Sequence, residues 1–336
     1  MATLITGASG FVGGWIARLA AAGAESGAEV RALVRAPERA GGLRLLGVQP
    51  VQGDLLDPPS LTRALEGVTH LYHAAGWISF KRRDAAQVRR VNYEGTVNLL
   101  RAALAAGVAR VVYTASIFAM GPARDADHPA DEHATLAERT DVDLPGLLRI
   151  PYLRAKLDAE RAADDLIAAG LPLIRLYPGL CMGAGDHHRS STGAIQAWLD
   201  GRLPAIITGG GICLMDVRDA AAAHLAAMAH GAPGERYLAT GHNVTLDDLF
   251  ARLAAITGKR PPTLRLPPAP GVLLAGLAER LGLFPALDEG QARLMGHYWW
   301  FDSSRAIREL GVSFRPLDDT LRETVAWLRA NPRPLT

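Results

Sequence analysis

Cysteine is nearly absent from the chain, which has only Cys181 and Cys213 among its 336 residues. Two cysteines are too few for a disulfide framework, and their separation does not match the ligand spacing of a metal site. We therefore expect both to be small buried hydrophobic residues. The sequence predicts no bound metal ion.

The chain also has no large excess of charge of either sign, because its 36 basic residues nearly balance its 34 acidic residues and the net charge is +2. This balance gives no sign of binding to nucleic acid or to a membrane surface. No apolar run reaches about 18 residues, the length of a membrane-spanning helix, and no basic region followed by an apolar run opens the sequence. We expect a soluble, cytoplasmic protein that acts on a small molecule.

Short apolar runs bounded by glycine, proline or polar residues recur along the chain, with helical segments between them. They lie at Thr3–Thr6, Val30–Val34, Val48–Gly53, His70–Ala74, Arg110–Thr114, Leu173–Leu176 and Arg236–Ala239. Such alternation predicts a parallel sheet buried on both faces, and right-handed crossovers make it doubly wound. The predicted fold class is α/β, a Rossmann-type doubly wound parallel sheet with a smaller, mostly helical C-terminal substrate domain.

The first predicted strand runs directly into a glycine-rich turn, and a helical pattern from Trp15 to Ala22 leaves that turn. Gly7 permits the tight turn, Gly10 lets the backbone approach a pyrophosphate, and Gly13 lets the helix pack close to the strand. The start of the helix offers unpaired N–H groups to phosphates. The spacing G-x-x-G-x-x-G indicates a dinucleotide site, with a plain turn as the alternative.

The ends of the second and third strands supply further candidate contacts to a cofactor. Arg35 follows the second strand, with no acid between Arg31 and Pro37. A guanidinium suits the 2′-phosphate of NADP, which a carboxylate would repel. We therefore favour NADP (NADPH), with NAD as the alternative and a solvated surface arginine as the non-functional interpretation. Asp54, at the end of the third strand, is placed either to accept the adenine amino group or to cap a helix or turn.

The fourth strand is followed by small residues, Ala74 to Gly76, which leave room for a flat ligand across the strand ends. For His73, just before them, a packed or hydrogen-bonded histidine is favoured over a ligand. Asn92 lies inside a long helical pattern from about Asp84 to Ala106, where asparagine is unfavourable without a partner. We expect it to bond the backbone of the next strand or to hold a water near the site.

The candidate chemistry lies at Tyr152 and Lys156, which follow Pro151 at a predicted helix start. Their spacing places them on one face of the helix, and an ammonium near a phenol lowers the pKa of the phenol towards neutrality. Tyr152 is then a general acid or base near pH 7. Ser116, after the fifth strand, is placed to bond the same substrate oxygen. Tyr-x-x-x-Lys alone is a weak pattern, and its weight comes from the glycine turn and the serine upstream.

Together these residues resemble the extended short-chain dehydrogenase/reductase family. Thr6-Gly7-x-x-Gly10-x-x-Gly13 is similar to its cofactor turn, Asn92 matches its structural asparagine, and Ser116, Tyr152 and Lys156 match its catalytic set. The resemblance covers nearly the whole chain, through Pro178-Gly179 and Asp216-Val217-Arg218-Asp219 to a closing helix that ends at Trp327. It implies cofactor contacts from Gly7, Ser9, Gly10, Phe11, Val12, Gly13, Arg35, Asp54, Leu55, Ala74, Ala75, Gly76, Tyr152, Lys156 and Pro178.

Within that family the chain resembles the branch of dihydroflavonol reductases and hydroxysteroid dehydrogenases, which reduce carbonyls with NADPH. Arg35 fits this branch, and so does Leu176-Tyr177-Pro178-Gly179, where sugar-nucleotide enzymes usually carry an asparagine for the diphosphate. A sugar-nucleotide epimerase or dehydratase is the alternative, and hopanoid-associated sugar epimerases have a similar pattern. A non-catalytic NADP-sensing regulator is less favoured, because such relatives usually lose the tyrosine or the lysine.

The resemblance and the change of pattern along the chain divide it into two regions. Residues 1–178 are predicted to form the NADP-binding domain, with 212–242 returning to the sheet. Residues 179–211 and 243–336 are predicted to bind substrate, with a proline-rich connector at Pro261–Pro270 and helices near Gly271–Leu281 and Ala286–Trp299. A dense aromatic run, Tyr298 to Phe301, is expected to pack internally rather than to line the substrate site. Because the helices around Asn92 and Tyr152 commonly pair in this family, the resemblance implies a homodimer.

Overall fold

The computed structural model describes residues 2–24, 28–136, 142–203, 205–282 and 288–332. Its strands are β1 (Ala2–Thr6), β2 (Glu29–Val34), β3 (Gln49–Gln52), β4 (Val68–His73), β5 (Arg110–Thr114), β6 (Leu173–Pro178), β7 (Leu180–Met182), β8 (Ala205–Ile207), β9 (Gly211–Asp216), β10 (Arg236–Ala239), β11 (His242–Thr245), β12 (Leu264–Leu266) and β13 (Tyr298–Trp299).

The α-helices lie mostly between the strands of the first two-thirds of the chain and gather at its end. They are α1 (Phe11–Ala22), α2 (Gly41–Leu45), α3 (Pro58–Ala64), α4 (Ala85–Arg89), α5 (Thr96–Ala105), α6 (Leu144–Leu147), α7 (Pro151–Ala168), α8 (Gly193–Leu199), α9 (Val217–His230), α10 (Leu246–Thr257), α11 (Pro268–Arg280), α12 (Glu289–Met295), α13 (Ser304–Leu310) and α14 (Leu317–Ala330). A π-helical turn, Arg90–Gly95, joins α4 to α5.

Seven strands form one parallel sheet in the order β10-β6-β5-β4-β1-β2-β3. The seven strands predicted from the sequence are the seven strands of this sheet, which confirms the doubly wound α/β fold. The order reverses between β1 and β4, so a crevice opens at their carboxyl ends, where ligands bind in such sheets.

Alternate residues of each strand enter hydrophobic cores on opposite faces of the sheet. Leu4 of β1 and Val111 of β5 belong to the core beneath α3, α5 and α7, whereas Ile5 and Val112 belong to the core beneath α1, α9 and α13. These central strands are therefore buried on both faces, which explains why they are continuous apolar runs in the sequence.

Two smaller sheets build the C-terminal region. One has the order β11-β9-β13, with β7 also paired to β9, and the other pairs β12 with β8. The expectation of a mostly helical region is therefore incomplete. The connector Pro261–Pro270 contains β12, whose Leu264 is in register with Ala205 of β8. These strands are short, and the two-residue or three-residue ones leave little periodicity to detect.

Two predicted helices differ from the structure. The pattern from Asp84 to Ala106 is interrupted by the π-helical turn that holds Asn92. The helix expected at Ala286–Trp299 is α12, which ends at Met295, and Trp299 lies on β13 instead. Residues 286 and 287 of that prediction lie outside the described residues. Among the helices that are described, none has the length and apolar character needed to cross a membrane.

Candidate active site

The glycine turn between β1 and α1 has the tight geometry that the spacing predicts. Gly7 has a φ of +75°, and a Cβ atom on it would lie 2.6 Å from the backbone nitrogen of Ala75. A Cβ atom on Gly13 would lie 2.2 Å from the carbonyl oxygen of Gly7. Both positions therefore require glycine, because a side chain would push the turn away from β4 or from α1.

The N-terminus of α1 is open to an anion. Gly10 precedes the helix, donates its N–H to the Gly7 carbonyl at 2.8 Å, and has no side chain to cap the first turn. The first turn also has no acidic residue. The free N–H groups and the positive end of the helix dipole thus face the crevice at the strand ends, a site suited to a phosphate group.

The ends of β2 and β3 present a free cation and a partly engaged carboxylate. Arg35 is exposed and makes no hydrogen bond or ion pair to the described residues. Asp54 accepts a hydrogen bond from the Leu56 N–H through Oδ1 at 2.9 Å, so it does stabilise a turn. Its other carboxylate oxygen has no partner in the described part of the chain. The neighbouring Leu55 is held through its carbonyl by the Asn98 amide at 3.1 Å.

Asn92 fixes the loop that follows β4. Its Oδ1 accepts from the Trp77 N–H at 2.8 Å, and its Nδ2 donates to the Trp77 carbonyl at 2.7 Å. The prediction that Asn92 bonds the backbone of the next strand is therefore wrong, because its side chain bonds the loop that follows β4. This pair of bonds holds the small residues from Ala74 to Gly76 at the floor of the crevice.

Ser116 and Tyr152 form a hydroxyl pair at the carboxyl end of β5. Tyr152 lies in the first turn of α7, is buried, and has its hydroxyl beside Ser116. Ser116 is fixed in turn, because its Oγ accepts from the Phe118 N–H at 3.3 Å. The rings of Phe80 and Phe118 lie edge-on to the Tyr152 ring, with centroids at 5.7 and 6.4 Å. The phenol is therefore flanked by apolar rings and by the Ser116 hydroxyl.

Lys156 is buried one turn further along α7. Its ammonium donates to the carbonyl oxygen of Thr114 at 2.9 Å and to the hydroxyl of Tyr113 at 3.2 Å. Burial lowers the pKa of Lys156 from 10.5 to about 8, and the nearby carboxylate of Glu160 opposes this shift. The lysine is therefore still mostly charged at neutral pH, and its side chain is directed at β5.

The expected fall in the pKa of Tyr152 is not found. Burial raises this pKa from 10.0 to about 12, and the hydrogen bond with Ser116 is what opposes the rise. The expectation fails because it assumed that two residues on one helix face act on each other directly. The Lys156 ammonium is instead engaged by Thr114 and Tyr113. Tyr152 is consequently a neutral proton donor in this state of the protein.

The remaining predictions near the site concern packed residues. His73 is fully buried and bonded to Thr6 at 2.8 Å and to Thr96 at 2.9 Å, so the hydrogen-bonded interpretation is confirmed. Trp299 is also fully buried, and its ring lies 4.9 Å from that of Phe118. It is a packing residue that supports the wall around Tyr152.

The predicted site residues gather along one edge of the sheet. The glycine turn follows β1, Ala74 to Gly76 follow β4, Ser116 follows β5, and Pro178 ends β6 beside Ala239 of β10. Sequence reasoning missed Tyr113 and Thr114, which contact the lysine. The only sequence feature that could have pointed to these two residues was their position at the carboxyl end of a predicted strand.

A parallel sheet with an open glycine turn and a Ser–Tyr–Lys set at the same edge defines an NAD(P)-dependent oxidoreductase of the extended short-chain dehydrogenase/reductase type. The chain belongs to the NAD dependent epimerase/dehydratase family, whose model matches residues 3–239.

Individual relatives match between 74% and 98% of the chain. Sterol demethylase protein B of Methylococcus capsulatus is 34% identical, with 98% of each chain covered. Dihydroflavonol 4-reductase of Zea mays is 29% identical over 74% of this chain and 72% of its own, in keeping with the resemblance to that branch. The solved structure of gox2253 is 32% identical, covers 98% of both chains and superposes with a TM-score of 0.82.

Proposed function

We propose that this protein is an NADPH-dependent carbonyl reductase that delivers hydride to a ketone or aldehyde of a small organic substrate. The observation that carries the proposal is the buried phenol of Tyr152, which lies beside Ser116 at the carboxyl edge of the sheet and whose pKa is raised by burial. Reduction of a carbonyl needs a proton donor at the oxygen, and a phenol that keeps its proton meets that need.

The residues at the edge of the sheet fit a nicotinamide dinucleotide. The uncapped N-terminus of α1 suits the pyrophosphate, and the free oxygen of Asp54 suits the adenine amino group. Arg35, exposed and unpaired among the described residues, suits a 2′-phosphate and favours NADP over NAD. When bound, the reduced nicotinamide supplies the hydride.

The chain's own residues then perform three tasks. Ser116 and Tyr152 together hold the substrate oxygen, and Tyr152 donates the proton to it. Lys156 holds its positive charge beside the site, where it would bind the nicotinamide ribose. The Phe80 and Phe118 rings exclude water from the phenol, which strengthens the hydrogen bonds to the substrate oxygen.

A sugar-nucleotide epimerase or dehydratase is the second candidate, because the family is described by those activities. The stretch Leu176-Tyr177-Pro178-Gly179 at the end of β6, where such enzymes usually carry an asparagine, argues against it. Within this stretch Tyr177 is fully buried, and its hydroxyl donates to Glu160 at 2.6 Å. It is therefore turned into the core and is not available to a diphosphate. The intact Tyr152 and Lys156 argue against a purely regulatory NADP sensor.

The decisive experiment follows the nicotinamide absorbance of NADPH with purified protein and a panel of aldehydes, ketones, flavanones and steroids. The names of the relatives favour the last two classes. Substrate-dependent loss of NADPH supports the reductase and defines the pocket. NADP binding without loss on any carbonyl, together with conversion of a UDP-sugar or dTDP-sugar, would replace it with the second candidate.

We also propose a homodimer that pairs α5 and α7 with their copies, by analogy with the family. Light scattering on purified protein at micromolar concentration tests this proposal. A monomer mass at every concentration would contradict it.

A further inference from the structure

The residues that hold Lys156 belong to a longer buried array. The Tyr113 hydroxyl accepts from Lys156 at 3.2 Å, and Thr96 of α5 is its neighbour. Thr96 reaches Nε2 of His73 at 2.9 Å, and Nδ1 of His73 reaches the Thr6 hydroxyl at 2.8 Å. None of these side chains is more than a few per cent exposed, so water does not complete the array.

The direction of the first hydrogen bond in this array is fixed. An ammonium can only donate, so the Tyr113 oxygen accepts from Lys156. At the other end of the array, Thr6 accepts from the Ala75 N–H at 3.3 Å.

The rings add a second constraint on the same residues. The Lys156 ammonium lies 4.8 Å from the centroid of the Tyr113 ring, and the ring of His73 stacks on the Tyr113 ring at 5.3 Å with an interplanar angle of 18°. His73 is neutral, since burial lowers its pKa to about 3. The stacked imidazole therefore leaves the buried Tyr113 ring little freedom to turn its hydroxyl away from the lysine.

We propose that Tyr113 is a positioning residue for Lys156, which holds the ammonium on β5 through its hydroxyl and is itself held by the stacked ring of His73. The proposal rests on the proposed function only in giving Lys156 a role at the active site. His73 in turn contacts Thr6, the residue before Gly7, and so connects the support of the lysine to the glycine turn.

The test measures the pKa of Lys156 directly. The chain has only three lysines, Lys81, Lys156 and Lys259, so carbon NMR of protein labelled on the lysine side chain gives a spectrum of three ε-carbon signals. A Lys156→Gln variant identifies its signal by loss. Tyr113→Phe keeps the ring but removes the oxygen that accepts from the ammonium, and the charged lysine loses a stabilising partner.

We expect the Lys156 pKa in Tyr113→Phe to fall by about half a unit or more. Tyr72→Phe is the matched control, because Tyr72 is a buried tyrosine of β4 whose ring lies in the core on the opposite face, and it should leave the titration unchanged. Other ionisable groups around the lysine are the same in both variants, namely Glu160 and Tyr152 of α7, His73 of β4, Arg175 and Tyr177 of β6, and His224 of α9.

An unchanged Lys156 titration in a folded Tyr113→Phe protein would overturn the proposal, whether or not a substrate has been found. With a substrate in hand, the alkaline limb of the kcat/KM profile should move to lower pH by the same amount, which a loss of stability alone would not produce. Should Tyr113→Phe not fold, His73→Leu removes the ring that stacks on Tyr113 and is expected to shift the titration, while His73→Phe should restore it. An unchanged Lys156 titration in a folded His73→Leu protein would then count against the proposal.

Discussion

The ammonium of Lys156 donates a hydrogen bond to the backbone carbonyl of Thr114 at 2.9 Å. A backbone acceptor cannot be removed by substitution, so the lysine is tied to the end of β5 independently of any side chain. Thr114 is itself fixed, because its hydroxyl lies 2.8 Å from Nε2 of the buried His224. The strand, rather than the phenol of Tyr152, sets the position of the charge in this state.

Replacing Tyr152 with phenylalanine tests the proton donor. We expect turnover to fall by about 10²-fold or more, the usual contribution of a positioned general acid, while the NADPH dissociation constant stays near that of the wild type. Steady-state rates and fluorescence titration measure the two quantities, with Tyr72→Phe as the control for a lost buried phenol. Unchanged turnover would remove Tyr152 from the mechanism.

Arg35 is predicted to set the choice between NADPH and NADH. Arg35→Glu exchanges a cation for an anion where we place the 2′-phosphate, so the KM for NADPH should rise by about 10- to 100-fold, the value of a charge-assisted hydrogen bond. The KM for NADH, which lacks that phosphate, should change little. Arg63→Glu makes the same charge change at an exposed site of α3. Equal effects of Arg35→Glu on both cofactors would contradict the assignment.

Gly13 and Gly14 are adjacent in α1, and comparing their substitutions distinguishes two roles of glycine. One role is the close approach of the helix to the turn, and the other is the effect of glycine on helix propensity. A Cβ atom at Gly13 would lie 2.2 Å from a backbone oxygen, whereas one at Gly14 would lie 3.3 Å from its nearest neighbour. Gly13→Ala should therefore displace the turn, weaken NADPH binding by about tenfold or more and lower the melting temperature. Gly14→Ala should bind normally, since alanine favours a helix by up to about 1 kcal/mol. Equivalent behaviour of the two variants would show that the turn tolerates movement.

The sequence predicted the sheet well because its central strands are buried on both faces and bounded by breakers. The ends of α9 also follow local signals, since Asp216 caps the helix by accepting from the Arg218 N–H at 2.8 Å and Gly231 follows its last residue. The two smaller sheets were missed because β7, β12 and β13 are too short to show alternation, and their pairing depends on contacts distant in sequence.

The chemistry was predicted as a set of residues but not as an arrangement. Tyr152 and Lys156 are adjacent on α7, and spacing alone implied that the ammonium acts on the phenol. The structure directs the ammonium to β5, through contacts across more than 40 residues of sequence. Such contacts leave no local pattern, and the same is true of the bond from Asn92 back to Trp77.

The buried Lys156 should change how the free energy of unfolding depends on pH. The pKa of Lys156 is about 8 in the folded protein and 10.5 when the side chain is fully solvated, so between these values the unfolded chain binds a proton that the folded protein does not. Stability therefore rises with pH through this window by way of Lys156. The full difference amounts to about 3 kcal/mol.

Lys156→Met removes this contribution while keeping a side chain of similar length. Urea unfolding of both proteins at intervals from pH 7 to pH 10 isolates the lysine, because the other titrating groups are common to both. The free energy of unfolding of the wild type should rise relative to that of Lys156→Met as the pH increases above 8. Below pH 8 the two free energies should change with pH in nearly the same way. Parallel curves over the whole range would mean that the folded lysine titrates normally, which its burial against Thr114 and Tyr113 argues against.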